Sequence, residues 1–459
     1  MTFPWARVTA HLFFLGMTLA CTPGQAAEMA SSQDGPAESI APASDFEVHG
    51  QATYIFQRKP GFRAAYSGPN SLSPQPEHSY SFTSTVFVGW RPVRDLEFYF
   101  NPEVVQGLPM SRLVGLGGLT NSELQKTAGT NPVIYRARAF VRKTWGLGGG
   151  TEEVESDANQ LPGSRDQRRL VLTAGNFAGS DIFDQNTYAH DGRTRFLNWA
   201  LLMHGAYDYA SDARGYSWGA ALEYFDGDWA VRAGRLMEPK ESNGLKLDWA
   251  LKRHHGDQVE VERGWKAGDQ PGRARFLLYR NTAVMGAFQD ANLLAAATGT
   301  TPDVALVRRQ QSKTGWGINL EQAIDDTSGV FARWGRHDGR TETFSFAEID
   351  RSFSTGAVIG GARWGRPKDT LGIAWARNGL SGPHREYLAA GGLGFFIGDG
   401  ALLRYRPESI VETYYEFGFG KGPRSGYTVM VGFQRIRNPA YNADRGPVNT
   451  ASVRLHAEF

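Results

Sequence analysis

The chain has 459 residues, and its 49 Lys and Arg nearly balance its 47 Asp and Glu, giving a formal net charge of +2. This balance argues against nucleic acid or another strongly charged partner. Mean hydropathy is −0.39, which resembles a soluble protein. Outer-membrane barrels have the same property, because each of their strands is half polar. The 55 Gly, 27 Phe, 17 Tyr and 12 Trp, with little helical periodicity, favour an all-β chain.

The N-terminus has the pattern of an export signal. Arg7 supplies a positive charge, 12–20 form a short apolar core, and Gly24-Gln25-Ala26 has the small-x-small pattern of a cleavage site. We therefore predict a signal peptide over 1–26, cleaved after Ala26, with Ala27 as the second choice. The apolar core is too short to span a bilayer as a helix.

After cleavage the chain would have no cysteine, because Cys21 is the only one. Disulfides and thiolate metal sites are then excluded, although Thr18-Leu19-Ala20-Cys21 leaves a lipid anchor open as a poor match. Residues 27–44 are rich in Ser, Ala, Pro and Gly, and this composition predicts a disordered leader. The remaining 45–459 form one predicted domain.

From Phe46 onward, apolar and polar residues alternate in short runs, as they do in half-buried strands. The first runs lie near 46–56, 82–90 and 96–101, and the last two are joined by a tight turn at 91–95. Residues 102–132 break the alternation and contain a short helical piece, 121–126, that Asn121 can cap. We expect this irregular loop to fold into the barrel and narrow it.

A row of arginines follows this loop. Tyr135, Ala137, Ala139 and Val141 alternate with Arg136, Arg138, Phe140 and Arg142. Arginine on a lipid-facing surface costs about 2–4 kcal/mol at the bilayer midplane, so Arg136, Arg138 and Arg142 are all predicted to face the interior. Residues 146–165 are interpreted as a mobile surface loop, and 181–212 as a second irregular region.

Further alternating runs continue to the C-terminus, separated by short turns and long loops in alternation. We expect about 16 strands, with 18 as the alternative, in a transmembrane antiparallel β-barrel with short periplasmic turns and long external or inward-folded loops. The last run, 450–459, alternates without a break and ends on Phe459. It is the predicted closing strand, because lipid cannot satisfy an open sheet edge.

Several stretches resemble the carbohydrate-selective porin family (OprB-type). They are 101–107, 174–177 with 181–184, 188–199, 302–308, 361–367, 412–415, 438–442 and 445–447. The resemblance implies a sixteen-strand outer-membrane channel for passive diffusion of mono- or small oligosaccharides. It also implies sugars as solutes. Lipid and lipopolysaccharide around the barrel, the barrel assembly machinery acting on Phe459, and a monomer or homotrimer are the further expected partners.

A sugar channel needs hydrogen-bonding groups and aromatic faces that bind weakly. The candidate pore eyelet is therefore built from an acid, an amide, the arginine row and two stacking rings: Glu103, Gln106, Arg136, Arg138, Arg142, Tyr188 and Trp199. An exporter of an acidic polysaccharide, or an outer-membrane barrel enzyme, are the alternatives.

No catalytic, cofactor or metal site is expected. The serines and histidines are scattered, without a local nucleophile and base. His190, Asp191, Asp181 and Asp184 are better explained by loop hydrogen bonding than by metal binding, because no compact set of ligands stands at metal spacing.

Overall fold

The computed structural model describes residues 44–459 except 128, 347, 401–403 and 421–425. The predicted signal peptide 1–26, with its cleavage site after Ala26, lies outside the described residues, as does the leader 27–44 apart from Ser44. The described strands are β1 (Phe46–Lys59), β2 (Glu77–Val93), β3 (Leu96–Leu108), β4 (Val133–Gly146), β5 (Thr151–Val154), β6 (Gly163–Asp166), β7 (Arg169–Phe177), β8 (Ser217–Asp226), β9 (Trp229–Met237), β10 (His255–Ala267), β11 (Gln270–Met285), β12 (Arg309–Ala323), β13 (Gly329–His337), β14 (Arg351–Gly360), β15 (Thr370–Gly379), β16 (Glu408–Phe419), β17 (Gly426–Arg437) and β18 (Val448–Glu458).

Sixteen of these strands close a barrel in which every neighbouring pair is antiparallel. β18 pairs with both β17 and β1, so the C-terminal strand completes the ring as predicted. Its alternation matches the two faces of the wall: Val453 and Leu455 are exposed outside, whereas Ser452 and Arg454 are buried inside. β5 and β6 form a separate two-stranded sheet, so the barrel itself has 16 strands and not 18.

The two ends of the barrel differ. At one end, which we call the turn end, most connections are short, such as 94–95 and 268–269. At the other, the loop end, the connections are long and contain α1 (Trp199–Leu202), α2 (Phe288–Thr298) and α3 (Gly382–Ala389). Among the described residues, no helix has both the length and the apolar character needed to cross a membrane.

One connection at the turn end is an exception: residues 146–165, predicted to be a mobile surface loop, contain two paired strands. Thr151–Val154 and Gly163–Asp166 pair as a hairpin. The residues between them fold back into the barrel, where Leu161 is buried and its backbone N–H donates to the Tyr99 hydroxyl at 3.2 Å. A buried apolar residue flanked by paired strands fixes this segment.

A β-bulge corrects the prediction for the arginine row. Asn101 pairs with Arg138 and the next residue, Pro102, pairs with Arg136, so Ala137 is an extra residue in β4. Its carbonyl accepts a hydrogen bond from the Asn176 Nδ2 at 2.7 Å. An extra residue reverses the face of everything on one side of it. Arg138 and Arg142 therefore face inward as predicted, but Arg136 faces outward.

The segment between β7 and β8, residues 178–216, fills the middle of the barrel, and we call it the inward segment. It carries buried side chains along its length, among them Phe183, Phe196 and Tyr207. Loop 109–132 packs beside it, and its 3₁₀ helix Ser122–Lys126 is capped by Asn121, whose Oδ1 accepts from the Glu123 N–H at 3.0 Å. The predicted short helix and its cap are thus present.

Candidate functional site: a charged cavity inside the barrel

The inward segment has little regular secondary structure, so its buried backbone groups need other partners. Charged side chains of the wall supply them. Glu412 accepts from the backbone N–H groups of Leu197 and Asn198 at 2.7 and 2.9 Å. Basic side chains of the wall bond the backbone carbonyls in the same way. Arg454 donates to the carbonyl oxygens of Gly192 and Arg195 at 2.8 and 2.7 Å.

Asp184 is a further, fully enclosed anchor of the inward segment. It is fully buried, and its carboxylate accepts from Arg333 Nε at 2.9 Å and from the His204 N–H at 2.6 Å. Burial alone would raise the pKa of Asp184, but the Arg333 guanidinium lowers it below its ordinary value. Asp184 is therefore charged, and it holds the segment against β13.

A second anchor joins three parts of the chain. Arg193 of the inward segment donates to Glu103 of β3 at 2.7 Å and to Glu123 of loop 109–132 at 2.9 Å. Glu103 also accepts from the hydroxyls of Thr85, at 2.6 Å, and Tyr135. These three hydrogen bonds hold the buried carboxylate among protein groups.

Between the inward segment and the turn end lies a cavity of about 1020 Å³. Its lining combines basic, acidic and aromatic side chains from the wall, the inward segment and the β5–β6 connection. The charged and aromatic members that matter here are Arg91, Arg138, Arg142, Arg169, Arg193, Glu97, Asp181, Asp191, Glu223, Phe87, Phe140 and Phe225.

Arg138 and Asp181 form a two-pronged ion pair on the cavity surface. Arg138 Nε and Nη2 donate to the two carboxylate oxygens at 2.7 and 2.6 Å. The side chains stay 15% and 27% exposed, so both can reach a solute in the cavity. Burial would raise the pKa of Asp181, but Arg138 lowers it below its ordinary value, and the acid is ionised at neutral pH.

Guanidinium groups lie over aromatic rings elsewhere on the lining. Arg142 lies 5.0 Å from the Tyr99 ring centre and 5.5 Å from that of Phe140. Arg169 lies 4.1 Å from the Phe225 ring centre. These contacts hold the donors in place without consuming all their N–H groups.

The inner wall beyond the cavity alternates in charge from strand to strand. Arg232 bridges Glu223 and Glu260 at 3.1 and 3.0 Å, and Arg275 bridges Glu262 and Glu321 at 2.7 and 3.2 Å. Neighbouring charges of opposite sign cancel at a distance. The wall therefore offers many donors and acceptors but no strong field of one sign.

A known protein family matches this barrel. The family model described as "Carbohydrate-selective porin, OprB family" matches residues 87–459. The chain belongs to the OprB family of carbohydrate-selective porins. It is a sugar-selective porin of the Gram-negative outer membrane, and the predicted fold class, family, function and location are confirmed.

One solved porin structure shares the fold. The high-pH structure of Pseudomonas putida OprB aligns with a TM-score of 0.67 and 17% identity, covering 90% of this chain and 94% of that one. Acinetobacter baumannii OccAB1 aligns at 0.47 and 10% identity, over 92% and 98% of the two chains. The channel DcaP of A. baumannii also aligns at 0.47 and 10%, over 90% and 97%. No curated protein matched the chain.

The porin places its seven predicted eyelet residues in different surroundings. Arg138 and Arg142 line the cavity. Glu103 is buried against Arg193, and Trp199 is buried with its ring stacked on Phe346 at 4.6 Å. The other three lie elsewhere. Tyr188, in the inward segment, is buried beside Gly329, and Gln106, on the wall, donates to the Thr130 carbonyl at 2.7 Å. Arg136 lies on the outside of the wall, 5.1 Å from the Trp218 ring centre.

Sequence reasoning missed the three charged residues of the inward segment that line the porin's cavity, Asp181, Asp191 and Arg193. Asp181 and Asp191 were considered as loop hydrogen-bonding groups or metal ligands and as parts of the family-like stretches 181–184 and 188–199, and Arg193 was noted only within the second stretch. The sequence feature that could have indicated them is the mixture of acidic, basic and aromatic residues in the irregular region 181–212. In the described part of the chain, no group of three or more His, Cys, Asp or Glu could hold a metal ion.

Proposed function

We propose that this porin passes mono- and small oligosaccharides through the cavity beside the inward segment, with Arg138, Arg142 and Asp181 as the sugar-contacting eyelet. The observation that carries the proposal is the part-exposed Arg138–Asp181 pair on the cavity surface. Its donors and acceptors can exchange water for sugar hydroxyls, whereas a small ion gains no such exchange and loses hydration.

Size and ring contacts support the same assignment. Ligand pockets for small molecules typically enclose about 300–1,000 Å³, and the 1020 Å³ cavity is large enough for a hydrated small sugar. Phe140 and Phe225, both on the lining, are available to the apolar faces of a sugar ring. Binding stays weak, as a channel requires, because Arg138 and Asp181 are part-exposed and water competes with the sugar for them.

The direct test is current block by a panel of sugars through single refolded barrels. Arg138→Ala should weaken apparent sugar affinity about fivefold, since a lost hydrogen bond in a wet site contributes about 1 kcal/mol. Arg136→Ala is the matched control, because this arginine is two residues away on the same strand but faces outward. Equal effects of the two substitutions would remove Arg138 from the eyelet.

An exporter of an acidic polysaccharide is the less favoured function. Such a channel would need unpaired basic groups, but the inward arginines described above are mostly paired with carboxylates. A strong preference for anions in planar bilayers would favour the exporter. We also infer that the protein has no catalytic activity, and turnover of ester or peptide substrates by the refolded barrel would contradict this.

The location of the porin in the outer membrane implies further partners there. We infer that outer-membrane lipid and lipopolysaccharide surround the barrel, that Phe459 is recognised by the barrel assembly machinery, and that the protein is a monomer or homotrimer. Native electrophoresis of the extracted protein distinguishes the two oligomeric states.

A further inference from the structure

Three outward-facing arginines lie together near the loop end of β13, β14 and β15, and we call them the arginine patch. Arg336 on β13 pairs directly with Arg351 on β14. Arg377 on β15 pairs with Phe353, two residues further along β14. All three side chains are exposed on the outer surface of the barrel.

Such a grouping is unfavourable without an anion, because like charges directly opposite in a sheet repel. Within the described residues, none of the three guanidinium groups makes a hydrogen bond or lies within 4.0 Å of a carboxylate. Asp338, two residues beyond Arg336, instead accepts from the backbone N–H groups of Thr314 and Arg340 at 2.9 and 3.2 Å.

A paired arginine at the same end of the outer surface shows the contrast. Arg235 on β9 donates from Nε and Nη2 to the two oxygens of Asp257 at 2.6 and 2.8 Å. Here the barrel supplies its own counter-ion. At the arginine patch none of the residues that the structure describes supplies one, so the expected counter-ion comes from outside the protein.

The rings beside the patch place it relative to the membrane. Trp334, Phe353 and Trp375 are exposed on the outer surface, with the Phe353 and Trp375 rings 5.9 Å apart. Aromatic girdles of outer-membrane barrels lie at the boundary of the hydrocarbon layer. Arg336 and Arg351 stand one step closer to the loop end than this band. In porins the long loops are external, so the patch is at the headgroup level of the outer leaflet.

We propose that the arginine patch binds the phosphate groups of lipopolysaccharide, the phosphorylated glycolipid of the outer leaflet. Guanidinium forks match phosphate oxygens two at a time. The acyl chains of the same lipid would lie against Trp334, Phe353 and Trp375. The site depends on the outer-membrane location but not on the sugar path, because it is on the outside of the wall.

The test is binding of purified bisphosphorylated lipid A to the full-length folded porin in detergent, with EDTA present to remove bridging divalent cations. The triple variant Arg336→Gln, Arg351→Gln, Arg377→Gln should bind at least about tenfold more weakly, since each basic residue near a membrane surface contributes about 1 kcal/mol. The matched control is Arg263→Gln, an outward arginine at the turn end. It should leave the affinity unchanged.

A lysine variant, a competition with inorganic phosphate and a sugar-block measurement complete the test. Replacing the same three residues with lysine should restore most of the affinity, because the charge is kept. Inorganic phosphate at millimolar concentration should not compete, since it lacks the acyl chains. Equal binding by the wild type and the glutamine variant, or an equal loss in Arg263→Gln, would overturn the proposal. Sugar block should be the same in all these variants, which separates this test from that of the eyelet.

Discussion

Arg193 donates to Glu103 at 2.7 Å across the interior of the barrel, and both side chains are less than a tenth exposed. The pair joins the inward segment to the wall, and the second bond of Arg193, to Glu123, adds the neighbouring loop. A carboxylate in the wall thereby positions the segment that bounds the sugar cavity. Glu103 itself is fully buried, so its part in the structure is to hold this arrangement.

Breaking this pair should loosen the inward segment. Glu103→Gln keeps the shape but removes the buried charge that Arg193 needs, and we expect a loss of about 3 kcal/mol in the free energy of unfolding. Urea unfolding of the folded protein in detergent measures it. Asp95→Asn in the β2–β3 turn is the control, with an expected loss below about 1 kcal/mol, because Asp95 and its partner Arg94 are 42% and 93% exposed. Equal losses would show that Arg193 does not depend on Glu103.

Removing the acid of the eyelet should change ion selectivity. Asp181→Asn leaves the Arg138 charge without its partner, so reversal potentials in a salt gradient should shift towards anions. The shift should shrink at high salt, because ions screen exposed charges. Asp269→Asn, in the short β10–β11 turn, removes a carboxylate away from the cavity and should cause little shift. An unchanged reversal potential in Asp181→Asn would place this pair outside the conducting path.

The C-terminal residue should control assembly. Phe459 and Gly50 exchange backbone hydrogen bonds of 2.6 and 3.0 Å, and the ring lies over the bare Cα of Gly50. Phe459→Ala should lower the amount of folded protein in the outer membrane several-fold, and deletion of Phe459 should lower it further. Phe433→Ala, another lipid-facing phenylalanine, is the control. Normal assembly of the deletion variant would contradict the predicted recognition of this residue.

The loop end should be pH-sensitive through His384. This buried ring lies 3.1 Å from Asp350, and although burial lowers the pKa of His384, the Asp350 carboxylate raises it above its ordinary value. A raised folded pKa means that the stabilisation is complete below the unfolded pKa of about 6.5. It is then lost as pH rises through the folded pKa.

Hydrogen exchange of α3 amides, corrected for intrinsic rates, should therefore show less protection as pH rises above about 6.5. His384→Gln should remove this dependence, whereas His78→Gln, at an exposed histidine on β2, should retain it. Pairing with Asp350 is the wrong explanation if wild-type protection is constant across this range.

The mature protein should begin at Ala27. Cleavage after Ala26 follows from the small residues at 24 and 26. Intact mass of the protein extracted from outer membranes measures the site directly, and a start at Glu28 would indicate the second choice. A retained N-terminus or an added lipid mass at Cys21 would contradict the prediction.

The two-residue periodicity of the strands was enough to predict most of the fold. A strand that separates lipid from water must alternate between apolar and polar side chains. The unbroken alternation over residues 450–459 therefore predicted both the barrel and its closing strand. The same rule failed at Arg136, because the bulge at Ala137 reverses the alternation. Nothing in the residue types around 137 indicates the extra residue. It becomes visible only when β4 is paired with β3.

The loops were harder to predict for a different reason. A segment without periodicity gives no sign of where it lies, so 181–212 was interpreted as irregular while 102–132 was expected to narrow the channel. In the structure both fold inward, and 178–216 contributes the anchors Asp184 and Arg193. Their partners stand far away in sequence, on β13 and β3.

The sequence by itself determined the β-barrel, its approximate strand number and the family, because these depend on local composition and on a repeat of two residues. Only the tertiary structure decided which charges line the cavity. Arg138 gained its partner Asp181, Glu103 was enclosed by Arg193, and Arg136 was turned towards the lipid. Each of these outcomes depends on pairing register or on long-range ion pairs, which form only when distant segments meet inside the closed barrel.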